Sequence, residues 1–147
     1  MIAVATLLHA PFLARHREPD EALDAETLFE VAFLAAAADG SVGEEERRVL
    51  DHVAKGLGLG DVDARVQTLR AGLYESTFEE RASAVAGKIS TRASRRVAYS
   101  LVFVIHVSDL NQAPEEDELE ILLEKAWSFG EEAAELKDEV MEFLNSV

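Results

Sequence analysis

Two short acidic segments carry the side chains of this chain that could bind a metal ion. In the first, an Asp-Gly pair is followed by three glutamates, and in the second an aspartate is followed by two. Carboxylate oxygens suit calcium, magnesium or manganese rather than zinc or copper. A divalent cation would also relieve the repulsion between neighbouring carboxylates. The candidate ligands are Asp39, Glu44, Glu45 and Glu46 in the first segment and Asp109, Glu115 and Glu116 in the second.

A structural role is the alternative for both acidic segments. Aspartates often cap helical turns, and glutamates are favoured in a first turn because the helix dipole is positive there. The helix after the first segment could begin at Ser41, in a capping box with Glu44, or at Gly43. The second segment is the weaker candidate because Leu110 stands in the place of Gly40.

Other metal and catalytic motifs are poorly matched. A standard EF-hand loop ending at Glu46 would place Ala35 and Ala37 at positions one and three, where the loop needs oxygen ligands. The four histidines show neither Glu-x-x-His nor His-x-x-x-His spacing. We therefore expect no enzymatic activity, with a metal-dependent hydrolase as a remote alternative. His106 precedes Asp109 by one turn and could join a metal site, although a core histidine hydrogen-bonded to a backbone carbonyl is the preferred interpretation.

Composition limits the class of protein further. The 147 residues include no cysteine, which excludes disulfides and thiolate chemistry, and a net charge of −15 argues against nucleic-acid partners. Residues 81–108 contain five basic side chains and no acidic one, so we expect this basic stretch to pair with the acidic C-terminal helices. Its alternative role is peripheral association with an anionic membrane. The apolar residues 1–14 make a poor signal peptide, and we expect a cytoplasmic protein.

The elements that must position the acidic segments are helices. Strand alternation is nearly absent, whereas helical spacing recurs from about residue 24 to the end of the chain. The helices before Asp39 and Asp109 are apolar on every side, which is typical of buried central helices. Glycines separate the helices, and Thr77 with Glu80 predicts a capping box. The predicted fold class is therefore all-α.

The two halves of the chain match at an offset of 70 positions, the spacing between Asp39 and Asp109. At this offset Phe33 aligns with Phe103 and Gly60 with Gly130. Glu45 and Glu46 align with Glu115 and Glu116. The sequence therefore predicts a bundle of two pseudo-symmetric helical repeats. We expect one domain at residues 24–147, with repeats at about 28–75 and 98–146, and an N-terminal extension, residues 1–23, packed on it.

One family resemblance is carried by the first repeat. A buried apolar run at residues 31–38 is followed by Asp39-Gly40, Val42, the glutamates at 44–46, Val49-Leu50 and Lys-Gly-Leu-Gly-Leu at 55–59. In this series of residues the chain resembles the TerB-like family, which is named for a bacterial tellurite-resistance protein. The resemblance implies an all-helical fold with internal pseudo-symmetry, an acidic cation-linked patch, and a non-enzymatic role in chemical stress with protein partners near membranes. A purely structural interaction module without metal is the alternative.

Overall fold

The computed structural model describes residues 25–36, 43–73, 75–106 and 118–146, and it contains no strand in these ranges. The all-α prediction is thus confirmed for this part of the chain. The N-terminal extension and the residues of both acidic segments at 37–42 and 107–117 lie outside it. The helices are α1 (Ala25–Ala36), α2 (Glu44–Leu57), α3 (Val62–Leu73), α4 (Phe78–Lys88), α5 (Arg92–Val104), α6 (Glu118–Ala126) and α7 (Glu131–Ser146).

Helices α1 and α5 form the centre of the bundle. In α1, nine of the twelve residues are buried, so this helix has no solvent-facing side of any width. It packs against α2, α3, α4 and α5, while α5 also packs against α6 and α7. Phe33 and Phe103 are 0% and 3% exposed, as the sequence predicted for both. The apolar sequences of α1 and α5 therefore place these two helices in the core.

Local capping residues set where the surrounding helices begin. The predicted capping box is present at α4, where Thr77 accepts a hydrogen bond from the Glu80 backbone N–H and the Glu80 carboxylate accepts one from Thr77 N–H. Helix α5 begins at Arg92 because Thr91 caps it, accepting from Ser94 N–H at 3.1 Å. At α2 the cap residue is Gly43.

The turns that end α2 and α6 share one backbone geometry. Gly58 follows α2 with φ 75°, and Ser128, 70 positions later, has φ 56°. In each turn the next backbone N–H, from Leu59 or Phe129, donates across the turn with an N···O distance of 2.8 Å. The acceptors are the carbonyls of Ala54 and Glu124, which are also 70 positions apart. Both helices thus end in the same left-handed turn.

None of the helices in the described ranges is long and apolar enough to cross a membrane.

Candidate functional site

The structure describes only part of the predicted cation site. Asp39, Asp109, Glu115 and Glu116 lie outside the described residues, as does the side chain of Glu45. Glu44 is exposed and Glu46 is half-buried, both in the first turn of α2. Within the described ranges, no three histidine, aspartate or glutamate side chains come together in a way that could hold a metal ion.

The carboxylate of Glu46 is turned back toward the start of its own helix. A Cβ atom added to Gly43 would lie 3.0 Å from Oε2 of Glu46, so this oxygen sits directly over the cap residue. Glu46 is the third residue of α2, the position from which a capping-box glutamate reaches back. Its placement fits the helix-cap interpretation of the first acidic segment.

A buried histidine–carboxylate pair lies at the junction of three helices. Nδ1 of His106, just beyond the end of α5, lies 2.8 Å from Oε2 of Glu120 in the first turn of α6. Nε2 of the same ring lies 3.3 Å from the carbonyl oxygen of Ala35 in the last turn of α1. Both side chains are 2% exposed. The preferred interpretation of His106, a core histidine bonded to a backbone carbonyl, is confirmed, but its carboxylate partner was not predicted.

Three further polar side chains extend this pair toward α7. Nζ of Lys137 lies 3.2 Å from Oε1 of Glu120, an ion pair that lacks hydrogen-bond geometry. The same ammonium lies 4.0 Å from the carboxylate of Glu124, which accepts a 2.7 Å hydrogen bond from the hydroxyl of Tyr99. We call these five residues, His106, Glu120, Lys137, Glu124 and Tyr99, the core charge network.

The core charge network has no charged equivalent 70 positions earlier. The two buried members, His106 and Glu120, correspond to the buried apolar residues Ala36 and Leu50. The sequence contained a signal for this buried pair, because Glu120 stands on the apolar stripe of its helix where the first half has Leu50. The remaining counterparts are Phe29 for Tyr99, Ala54 for Glu124 and Gln67 for Lys137.

The basic stretch, residues 81–108, is paired within the protein but with two different helices. Arg92 and Arg96 both bond the Glu132 carboxylate in the first turn of α7, as expected for the C-terminal helices. The expectation is wrong for Arg81 and Lys88, which lie 3.6 Å and 3.0 Å from the carboxylate of Glu30 on α1. Helix α4 packs against both α1 and α6, and its contact with α1 brings these two cations to Glu30.

The surroundings of Glu132 favour its charged form. Burial alone would raise the pKa of its carboxyl, but the hydrogen bonds from Arg96 and Arg92 outweigh burial and hold the pKa below its usual value. The expectation of a partner on the C-terminal helices is also wrong for Arg95, whose Nε donates to the carbonyl oxygen of Ile89 at 2.9 Å.

An open groove of about 600 Å³ lies between α1, α3 and the C-terminal end of α4. Its walls carry Arg65 and Lys88, and each is already paired with a carboxylate of the same groove, Arg65 with Glu26 and Lys88 with Glu30. A charged ligand would have to displace these pairs in order to bind here.

Comparisons of the chain with models of known protein families, with curated proteins and with solved structures found no match.

Proposed function

We propose that this chain is a non-enzymatic, TerB-like adapter domain that binds a divalent cation through its acidic segments and acts in a bacterial response to tellurite or other chemical stress. One observation supports this most: the two central helices, α1 and α5, each precede an acidic segment, and those segments are 70 positions apart. Protein partners belong to the same proposal. A net charge of −15 favours partners with basic surfaces.

The proposal includes two pseudo-symmetric repeats. The matching turns at Gly58 and Ser128 support it, as does the burial of Phe33 and Phe103 at equivalent positions. The core charge network departs from this symmetry, because its residues have no charged counterpart in the first half. The repeats would therefore share a scaffold and differ in chemistry.

A cation titration tests the proposal directly. Melting of the wild type is followed in calcium, magnesium or manganese and in chelator, with calorimetry on the same samples. Binding to the native state stabilises by mass action, by about 2.7 kcal/mol at a hundredfold excess over the dissociation constant. Asp39→Asn removes the charge and keeps the shape, so it should abolish most of this gain. Asp138→Asn, on the exposed face of α7, is the matched control and should keep it.

The alternative function is a structural interaction module whose acidic segments are helix caps. The position of the Glu46 carboxylate over Gly43 favours this alternative. In that case Glu46→Ala lowers the melting temperature equally with and without cations. An unchanged wild-type melting curve in millimolar cation, together with no heat of binding, overturns the cation proposal.

A further inference from the structure

We propose that helix α3 is a lid over the groove between α1 and the end of α4, and that it opens as one unit while the other described helices stay packed. The proposal depends on how α3 is attached to the bundle. It goes beyond the proposed function, because it involves no residue of the acidic segments and no bound cation.

Apolar burial attaches α3 only weakly. Of the α3 side chains that the structure describes, only that of Val66 is buried. Helix α7, which stands 70 positions later in the chain, buries three apolar residues, Ala133, Leu136 and Val140. Most of the stability of a helix in a protein comes from packing its apolar face against the core, so α3 is held less firmly than α7.

The sequence explains why α3 and α7 differ. At the offset of 70, Asp63 stands in the place of Ala133. Likewise, Arg70 stands in the place of Val140. Asp63 and Arg70 are both exposed, because a charged side chain without a buried partner must stay in contact with water. Helix α3 therefore cannot pack along α1 as α7 packs along α5, and the groove of about 600 Å³ is the space that remains.

Two exposed ion pairs hold α3 in the closed position. Arg65 of α3 bonds the carboxylate of Glu26 in the first turn of α1, and both residues line the groove. On the side of α2, Arg47 bonds the carboxylate of Asp63. The side chains of Glu26 and Asp63 are 61% and 81% exposed. When such pairs break, their charged groups return to water, so opening leaves no buried charge without a partner.

The segment that precedes α3 has the backbone of a hinge. Residues 58–61 join α2 to α3, and both Gly58 and Asp61 are left-handed, with φ of 75° and 50°. The counterpart of Asp61 is Glu131, which is already the first residue of α7. The connection to α3 is thus one residue longer. Hinges are short loop segments of this kind, in which a few residues absorb the change in φ and ψ.

Opening of the lid changes the surface that the groove presents. Phe29 of α1 and Leu69 of α3 both line the groove, and Phe29 is almost completely buried while α3 is closed. The end of α4 contributes Lys88, which is paired with Glu30. Movement of α3 away from α1 exposes Phe29 and adds apolar surface to a groove whose walls otherwise carry ion pairs. The position of α3 therefore controls access to this apolar surface.

Amide hydrogen exchange on the full chain, repeated at increasing urea concentrations, tests the proposal. The amides of α3 should exchange through one common opening, with protection factors about tenfold or more below those of α7. Arg65→Ala removes the pair with Glu26 and should lower protection in α3 by a further factor of about three or more, without changing α7. Arg70→Ala is the matched control, because Arg70 lies on the same helix and forms no ion pair with a described residue. It should leave both helices unchanged.

Cysteine labelling reports the exposure of side chains in the same motion. The chain has no cysteine, so one introduced thiol reacts alone. Val66→Cys on α3 and Val140→Cys on α7 are the same substitution at two buried positions. With iodoacetamide under native conditions, the thiol at position 66 should react about tenfold or more faster, and Arg65→Ala should accelerate it further.

Several results would overturn the lid. Equal protection or equal labelling of α3 and α7 would show that α3 is held as firmly as its counterpart. Protection that declines residue by residue toward one end of α3 would indicate fraying instead of a common opening. An effect of Arg65→Ala that is absent from α3, or equally large in α7, would show that the ion pair with Glu26 does not hold the lid closed.

Discussion

Nδ1 of His106 lies 2.8 Å from Oε2 of Glu120, and both side chains are almost completely shielded from solvent. Withdrawing two ionisable groups from water costs several kcal/mol per ion, which their attraction repays only in good geometry. Ala36 and Leu50 occupy the equivalent places in the first half without that cost. The two halves thus differ at this pair. Its contribution to the free energy of unfolding can be measured by replacing it with the alanine and leucine that the first half has in the equivalent places.

Removing one member of this pair should destabilise the protein more than removing both. His106→Ala or Glu120→Leu leaves the other group buried without its partner, with an expected loss of about 3–5 kcal/mol in the free energy of unfolding. The double variant removes both groups and should recover most of that loss. Urea denaturation of the four proteins measures the coupling energy. Additive effects of the two substitutions would show that the contact contributes nothing beyond packing.

The turns at Gly58 and Ser128 should respond in opposite directions to substitution. A left-handed backbone conformation costs a non-glycine residue about 1–2 kcal/mol relative to glycine. The greater conformational freedom of glycine in the unfolded chain offsets about 0.4–1 kcal/mol of that advantage. Gly58→Ala should therefore lower stability by about 1 kcal/mol and Ser128→Gly should raise it by about 0.5–1 kcal/mol. No atom lies within 4 Å of a Cβ added to Gly58, so its effect is a backbone effect.

Gly60→Ala is the matched control for these turns. Gly60 also has open space around an added Cβ, but it does not have the left-handed φ of Gly58. This substitution should be neutral or slightly stabilising in the same thermal melts. A loss at Gly60 equal to that at Gly58 would contradict the explanation from φ.

The capping box at the start of α4 should contribute to stability. The Thr77 hydroxyl accepts a hydrogen bond from Glu80 N–H, and the Glu80 carboxylate accepts one from Thr77 N–H. Thr77→Ala removes the first of these bonds and should lower the free energy of unfolding by about 0.5–2 kcal/mol. Thermal unfolding measures the loss, with Thr77→Ser as the control that keeps the hydroxyl. An unchanged stability in Thr77→Ala would argue against a contribution from this cap.

Acid should weaken the protein partly through Glu132. Its folded-state pKa lies below the ordinary value of 4.5, so the native state binds this proton less readily than the unfolded chain does. The resulting stabilisation is present above pH 4.5 and is lost as the pH falls through the folded-state value. Urea denaturation between about pH 6 and 3 should therefore show a shallower acid loss in Glu132→Gln than in wild type.

Glu131→Gln, at the exposed first position of the same helix, is the control for Glu132 and should retain the wild-type acid dependence. The double variant R92A/R96A removes both hydrogen-bond donors and leaves burial to raise the pKa of Glu132, so its acid loss should be at least as shallow as that of Glu132→Gln. An acid dependence in R92A/R96A identical to wild type would show that these arginines are not the cause.

Local sequence determined the helices and the caps described here. Apolar residues on every side of α1 and α5 predicted their burial, because a helix surrounded by core has no polar face. Thr77 with Glu80 predicted the start of α4, since a capping box needs only residues three positions apart. The match at an offset of 70 likewise predicted the burial of Phe33 and Phe103. The capping box and the apolar helices depend on short-range spacing, and the repeat on a comparison of the two halves, and a single sequence contains both.

Only the tertiary structure decided which charged groups meet. Glu30 pairs with Arg81 and Lys88 because α1 packs against α4, a contact between residues more than 50 positions apart in the chain. His106 reaches Ala35 across 71 positions for the same kind of reason. The sequence places Glu120 on the apolar stripe of α6, but the packing of the bundle decided that a histidine and a lysine would be its neighbours. Composition supplied the charges, and long-range packing of the helices selected their partners.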